Sequence, residues 1–94
     1  MDPIRFPTHI RYWNEEKRSG LAVADIPADA IGALGGLKQQ RVRGRIASAE
    51  FASNVMPAGG GRLALSVSKA MMSAAGLAVG DPVEVEITGI GREA

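Results

Sequence analysis

Short segments in which apolar and polar residues alternate constrain this fold more than any other feature of the sequence. Residues 4–13 alternate in this way, and so do residues 41–47 and 83–87. A period of two is typical of strands that bury one face. The 12 glycines and 5 prolines that punctuate the 94 residues favour short strands and tight turns. We therefore predict one mainly β domain over residues 1–94, with a barrel at about 4–88.

The same pattern predicts six short strands and two short helices, arranged as a compact barrel or sandwich. Ser68 is a suitable N-cap for the second helix, and Gly76 is suited to end it. The tail over residues 89–94 is expected to be loose. The predicted strands are 4–13, 21–26, 41–47, 51–56, 63–67 and 83–87, the predicted helices are 28–34 and 69–75, and residues 57–61 are expected to form a loop.

The absence of cysteine excludes several kinds of site. With no cysteine in the chain, it has no disulfide, no thiolate metal site, no iron–sulfur cluster and no cysteine nucleophile. No cofactor is predicted. The apolar runs are far shorter than the roughly 20 residues that span a bilayer, and the first seven residues lack a signal-peptide pattern. We expect a cytoplasmic protein without membrane contact.

The order of several short motifs resembles that of a known family. The motifs are Trp13, Ile26-Pro27, Leu34-Gly35-Gly36, Arg41-Val42-Arg43-Gly44, Met56-Pro57, Gly61-Arg62, Ser68-Lys69 and Gly80-Asp81-x-Val83-x-Val85. They resemble the bacterial domain-of-unknown-function family that occurs alone or fused to YdeI/OmpD-associated proteins, over about residues 4–88. The resemblance implies a small double-split β-barrel of about six short strands capped by two short helices. AbrB and MazE DNA-binding regulators share that architecture. The family has no established biochemical role, so the resemblance implies no site residues.

An arginine stripe, defined as Arg41, Arg43 and Arg45, is the most informative candidate site. On a strand these side chains point to one side at intervals of about 6.5 to 7 Å. That interval is close to the spacing of phosphates along a nucleic acid, and arginine forks suit phosphate oxygens. Lys38 precedes the stripe, and no acidic residue interrupts residues 38–49. The stripe therefore indicates contact with a polyanion or an acidic partner.

The alternative is that the arginine stripe is an ordinary solvated face. Glu84 and Glu86 alternate along another predicted strand, and they would neutralise the stripe if the two strands were neighbours. Arg62, at the base of a glycine-rich turn, is a separate candidate contact for an anion. The glycines at 59–61 do not form a phosphate loop, because a strand rather than a helix follows them.

Nothing in the sequence points to catalysis. His9 is the only histidine, and it has no carboxylate at metal-ligand spacing. No serine lies in a Gly-x-Ser-x-Gly context. We therefore predict that the chain is not an enzyme. A pocket that holds His9 beside a carboxylate would favour the opposite conclusion.

Two functions remain as hypotheses. The first is a non-enzymatic binding module for a protein partner or a second copy of the chain. The second is a nucleic-acid-binding, AbrB-like regulatory domain that uses the basic strand face. Tyr12, Trp13, Met71, Met72 and Leu77 either pack into the core or form a contact surface. Exposure at Trp13 or Met72 would favour the first hypothesis, whereas an unpaired arginine stripe would favour the second.

Overall fold

Six antiparallel strands close into a barrel in the computed structural model, which describes residues 3–14, 16–17 and 20–90. Their order around the barrel is β1-β2-β5-β4-β3-β6, and β6 pairs back onto β1. The prediction of a mainly β fold with six strands and two short helices is confirmed. The strands are β1 (Ile4–Tyr12), β2 (Ala22–Ile26), β3 (Gln40–Ile46), β4 (Ala49–Gly59), β5 (Arg62–Val67) and β6 (Pro82–Ile90).

The alternation in the sequence separates the inside of the barrel from the outside. On β3, Val42 and Ile46 are buried in the core while the three arginines between and beside them are exposed. All six strands contribute core side chains in this way, because a strand turns successive residues to opposite faces. The fully buried members of the core include Ile10, Val42, Ile46, Val55, Leu63, Leu65, Val67, Val85 and Ile87.

The two helices differ in how well the sequence determines their ends. The second helix, α2 (Lys69–Ala75), begins and ends as predicted. The Ser68 hydroxyl accepts a hydrogen bond from the Met71 amide, and Gly76 adopts a left-handed conformation at φ 70°. Both helices are short, and no helix in the described residues is long and apolar enough to cross a membrane.

The first helix, α1 (Ala28–Ile31), is shorter than the predicted 28–34. Gly32 follows it directly, and Gly35 and Gly36 take positive φ values in the turns that come next. Three glycines in five residues favour turns over a second helical turn, because glycine is a poor helix former. Leu34 still reaches the core, where only 1% of its surface is exposed.

Two strands extend further than the sequence predicts. Strand β4 reaches Gly59, so Pro57 pairs with Leu63 within the sheet instead of lying in a loop. Only Gly60 and Gly61 remain as the turn, and their positive φ values of 62° and 75° suit glycine. Strand β6 continues to Ile90, so residues 89–90 belong to the barrel. Residues 91–94 of the predicted tail lie outside the described residues.

Strand β6 has a bulge where it pairs with β3, and the two strands approach closely beside it at Gly44. The pairing shifts between Arg43 and Gly44, so that Arg43 lies opposite Gly89 and Gly44 lies opposite Ile87. A Cβ at position 44 would overlap the Glu86 carbonyl. Only glycine therefore allows the two strands to pair here.

Candidate functional site

The arginine stripe lies on the outer face of the barrel, where all three of its side chains are exposed. One end of it belongs to a charged row that crosses four strands. Arg45 is in register with Glu50 on β4 and with Glu86 on β6, and its Nη2 lies 3.9 Å from the Glu50 carboxylate. Glu86 in turn accepts a hydrogen bond from Arg5 on β1 at 3.1 Å. The charged row, Arg5, Glu86, Arg45 and Glu50, thus alternates in sign.

The rest of the arginine stripe has uncharged cross-strand neighbours. Arg43 is in register with Ala52 and Gly89, and its guanidinium covers Gly89, with Cζ 2.7 Å from where a Cβ at that position would lie. Arg41 is in register with Asn54. Of the two predicted neutralising acids, the fold brings Glu86 to the stripe, whereas Glu84 lies across from Pro7 on β1.

A second cluster of charges lies where β1 pairs with β2, which is on the other side of β1 from β6. Arg11 donates to both carboxylate oxygens of Asp25, from Nε at 2.7 Å and from Nη2 at 2.9 Å. Two parallel bonds of this kind are the strongest form of arginine–carboxylate pairing. The sequence analysis did not identify this pair, because Asp25 falls beside Arg11 only in the observed hairpin register.

The environment of Asp25 keeps its carboxyl group ionised. The hydrogen bonds from Arg11 lower its pKa, and the charges of Arg11, Arg62 and His9 act in the same direction against the effect of burial. His9 is exposed on the outer face. Because Asp25 already accepts two bonds from Arg11, it is poorly placed to exchange protons with a substrate.

Arg11 also fixes the end of the first hairpin. Its Nη1 donates to the Tyr12 carbonyl at 3.1 Å. One residue further on, the Trp13 amide donates to the Leu21 carbonyl at 2.7 Å. Trp13 and Leu21 are exposed to 39% and 44%, although both are large and apolar. This exposed pair is called the hairpin ridge below.

An apolar groove of about 430 Å³ lies on one side of the hairpin ridge, between the hairpin and α2. Met72 of α2 is half-buried at the groove, whereas Met71 is buried in the core and Leu77 packs against it. Met71 therefore has the core role and Met72 contributes to the candidate contact surface. Lys69 places one positive charge at the groove. The lining residues are Tyr12, Gly20, Leu21, Ala22, Val67, Ser68, Lys69, Met72 and Val79.

A polar cleft of about 410 Å³ lies on the other side of the hairpin ridge. Arg62 lines it from the start of β5, and this candidate contact for an anion therefore lies on a different strand from the arginine stripe. Within the described residues, no three metal-binding side chains lie close enough together to hold a metal ion. The residues that line the cleft are Arg11, Trp13, Asn14, Glu16, Ala58 and Arg62.

Comparison with protein families places nearly the whole barrel within one of them. The sequence model of DUF1905, described as a domain of unknown function, matches residues 6–87. The match begins within β1 and ends within β6. Neither the curated proteins nor the solved structures contain a match to the chain.

Proposed function

This chain belongs to the DUF1905 family, and we propose that it is a non-enzymatic binding module that holds a segment of a protein partner in the apolar groove. The observation that carries the proposal is the hairpin ridge. Two large apolar side chains are exposed there on paired residues of the first hairpin, and one of them, Leu21, lines the apolar groove. Contiguous exposed apolar surface of this kind is typical of interaction sites.

The charge at the groove favours an acidic segment. Lys69 is the charged residue that lines the groove. A partner with an apolar side chain for the groove and a carboxylate for Lys69 would match both features, because complementary charges raise specificity and the rate of association.

The state of Asp25 supports the non-enzymatic part of the proposal. A general acid or base needs a pKa near the working pH, whereas the pKa of Asp25 is lowered by its bonds from Arg11. The carboxylate contributes to the structure of the hairpin by holding Arg11 against β2.

The test is an NMR titration of the ¹⁵N-labelled chain with two short synthetic peptides. One alternates leucine with aspartate, and the other alternates leucine with lysine. We expect the first peptide to bind more tightly and to shift the amide signals of Leu21, Lys69 and Met72. Leu21→Glu should abolish these shifts. Leu37→Glu is the matched control, because Leu37 is exposed to 51% but does not line the groove.

Three results would contradict the proposal. The first is equal binding of the leucine–aspartate peptide by Leu21→Glu and by wild type. The second is a set of shifted amide signals that lies outside the groove. The third is loss of peptide binding in Leu37→Glu. If sedimentation shows a concentration-dependent dimer that Leu21→Glu dissociates, the occupant of the groove is a second copy of the chain.

Nucleic-acid binding is the second candidate, and a specific observation favours it. Lys38 and Arg41 are exposed and form no ion pair with a described carboxylate, and the cross-strand neighbour of Arg41 is the uncharged Asn54. This candidate ranks below the first because Arg45 belongs to the charged row. The sequence pI of about 8.2 is also below the value above 9 that is typical of such domains.

Fluorescence anisotropy with labelled mixed-sequence duplex DNA and RNA tests this candidate. Two neutralised phosphates predict that log K falls with log salt at a slope of about −1.8 for duplex DNA. Arg41→Gln should lower that slope by about one, while Arg5→Gln, in the charged row, should not change it. Absence of binding at low salt would exclude the candidate.

The family resemblance supports further proposals that concern origin and topology. It favours a bacterial cytoplasmic protein, an association with YdeI/OmpD-associated proteins, and an AbrB-like and MazE-like double-split arrangement of the barrel. Coexpression with a YdeI/OmpD-associated protein, followed by copurification at high salt, tests the association. The matched comparison is Leu21→Glu, which should fail to copurify if the apolar groove forms the contact.

A further inference from the structure

The polar cleft has the size and the chemistry of a small-molecule site. Its volume of about 410 Å³ falls within the roughly 300–1,000 Å³ that is common for ligand pockets. It combines an aromatic side chain, Trp13, with side chains of both charges. The cleft shares Trp13 with the hairpin ridge, but none of its lining residues lines the apolar groove, so an inference about it can be tested apart from the proposed protein-binding function.

Three charged side chains line the cleft; Arg11 is bonded to Asp25, whereas Arg62 and Glu16 do not pair with each other. Arg62 has no carboxylate within 4.0 Å in the described residues, and Glu16 has no cation within that distance in the same part of the chain. The charge of Arg62 helps to lower the pKa of Asp25, but the Asp25 carboxylate is occupied by Arg11. The cleft therefore offers one available cation and one available anion, with space between them.

The backbone amides of Glu16 and Lys17 are held by the side chain of Asn14. The Asn14 side-chain oxygen accepts from the amides of Glu16 and Lys17, at 3.1 Å and 3.3 Å. This side chain-to-backbone pattern is the Asx turn, which fixes a short loop without tertiary contacts. Arg62 is fixed at the first position of β5, paired with Gly59.

We infer that the polar cleft binds a small zwitterion of the amino-acid type. Its carboxylate pairs with Arg62, its ammonium group pairs with Glu16, and its apolar part lies against Trp13. Arginine presents a planar fork that matches a carboxylate. An indole ring offers both apolar surface and a negative face that attracts an ammonium group. A ligand with only one charge would pair with either Arg62 or Glu16, and the other side chain would then lie beside a group of the ligand that cannot pair with it.

The test uses the fluorescence of Trp13, the only tryptophan in the chain. L-Leucine, N-acetyl-L-leucine and L-leucinamide are titrated separately into the full chain. Leucine carries both charges, N-acetyl-leucine has lost the ammonium group, and leucinamide has lost the carboxylate. We expect a saturable change in emission with leucine, and an affinity about tenfold lower for each derivative, because each has lost a charged hydrogen bond.

Variants assign each contact separately. Arg62→Gln should weaken leucine about tenfold and leave leucinamide unchanged, and Glu16→Gln should remove the difference between leucine and N-acetyl-leucine. Arg41→Gln is the matched control, because Arg41 is an exposed arginine on β3, outside the cleft. Circular dichroism confirms that each variant is folded. The three positions are exposed, so substitutions there should leave the fold intact.

Two outcomes would overturn the inference. One is a linear, non-saturating response that is the same for all three compounds. The other is wild-type affinity for leucine in Arg62→Gln. Neither outcome bears on the apolar groove, since the peptide titration reads out Leu21, Lys69 and Met72, and failure of one site is therefore distinguishable from failure of the other.

Discussion

The charged row and the hairpin ridge both lie at the surface. They differ in how far neighbouring side chains pair with the charges of the first and cover the apolar surface of the second. In the charged row, Glu86 accepts a hydrogen bond from Arg5 and is in register with Arg45. At the hairpin ridge, Trp13 and Leu21 are exposed to 39% and 44%, beside a groove that is also apolar. Cross-strand neighbours can therefore satisfy a run of charges, whereas the hairpin ridge keeps a large part of its apolar surface exposed.

The largest effect is expected from Gly44→Ala, because it disturbs the pairing of β3 with β6 on which the charged row depends. Its Cβ would overlap the Glu86 carbonyl, so β3 and β6 must separate. We expect a loss of about 4 kcal/mol in the free energy of unfolding, the range of the most damaging substitutions. Urea denaturation measures it. Gly32→Ala is the control, since Gly32 has a helical φ of −60° and open space around it, and it should be neutral or stabilising by about 0.5 kcal/mol.

An intermediate effect is expected at the hairpin, where Asp25→Asn breaks the bidentate pair with Arg11. Arg11 is largely buried, at 16% side-chain exposure, and the substitution removes the negative charge of Asp25 beside it. We expect a loss of about 2 kcal/mol in the free energy of unfolding and stronger quenching of Trp13 fluorescence by acrylamide. Asp29→Asn, at an exposed acid of α1, is the control and should cost less than about 0.5 kcal/mol. Unchanged quenching of Trp13 would show that the pair does not fix the hairpin ridge.

The Asp25 pair also predicts a dependence on pH. The pKa of Asp25 is lowered from its ordinary value of 3.8, so the folded chain binds fewer protons than the unfolded chain in that range. Its stabilising contribution is complete above that ordinary value and is lost as the pH falls through the lowered pKa. Asp25→Asn should remove this acid-dependent part of the unfolding free energy.

The smallest effect is expected in the charged row itself. Glu86→Gln removes the bond to Arg5, but the Arg5 side chain is 68% exposed, so solvent and salt screen the pair. We expect a loss of about 0.5 kcal/mol, which disappears at about 1 M salt. Glu84→Gln is the matched control on the same strand, where the neighbour is Pro7. A loss above about 2 kcal/mol in the free energy of unfolding for Glu86→Gln would contradict the expectation that solvent screens the charged row.

The parts of the fold that local sequence determines were predictable. Helix α2 carries its own start and stop signals at Ser68 and Gly76, and the arginine stripe alternates with buried valine and isoleucine. Strand neighbours were not predictable in this way, because alternation assigns faces and not partners. Only the observed register places Glu86 beside Arg45, and Glu84 beside Pro7.

The candidate sites were harder to predict than the strands for the same reason. The hairpin ridge requires Trp13 and Leu21 to face each other across the first hairpin, which depends on its register. The polar cleft requires Arg62, at the start of β5, to meet residues of β1 and the turn after it. No local pattern connects segments so far apart in sequence.

The pairing of β1 with β6 has a consequence for the order of folding events. Strand β1 pairs with β2 over only three residues, whereas it pairs with β6 over six. Most of the partners of β1 therefore lie on the strand of the barrel that is made last. Contacts between such distant segments slow folding, because the loop must close before the contact stabilises it. During synthesis, Phe6 and its neighbours must wait for β6 to leave the ribosome, so the barrel closes only after all six of its strands have been made.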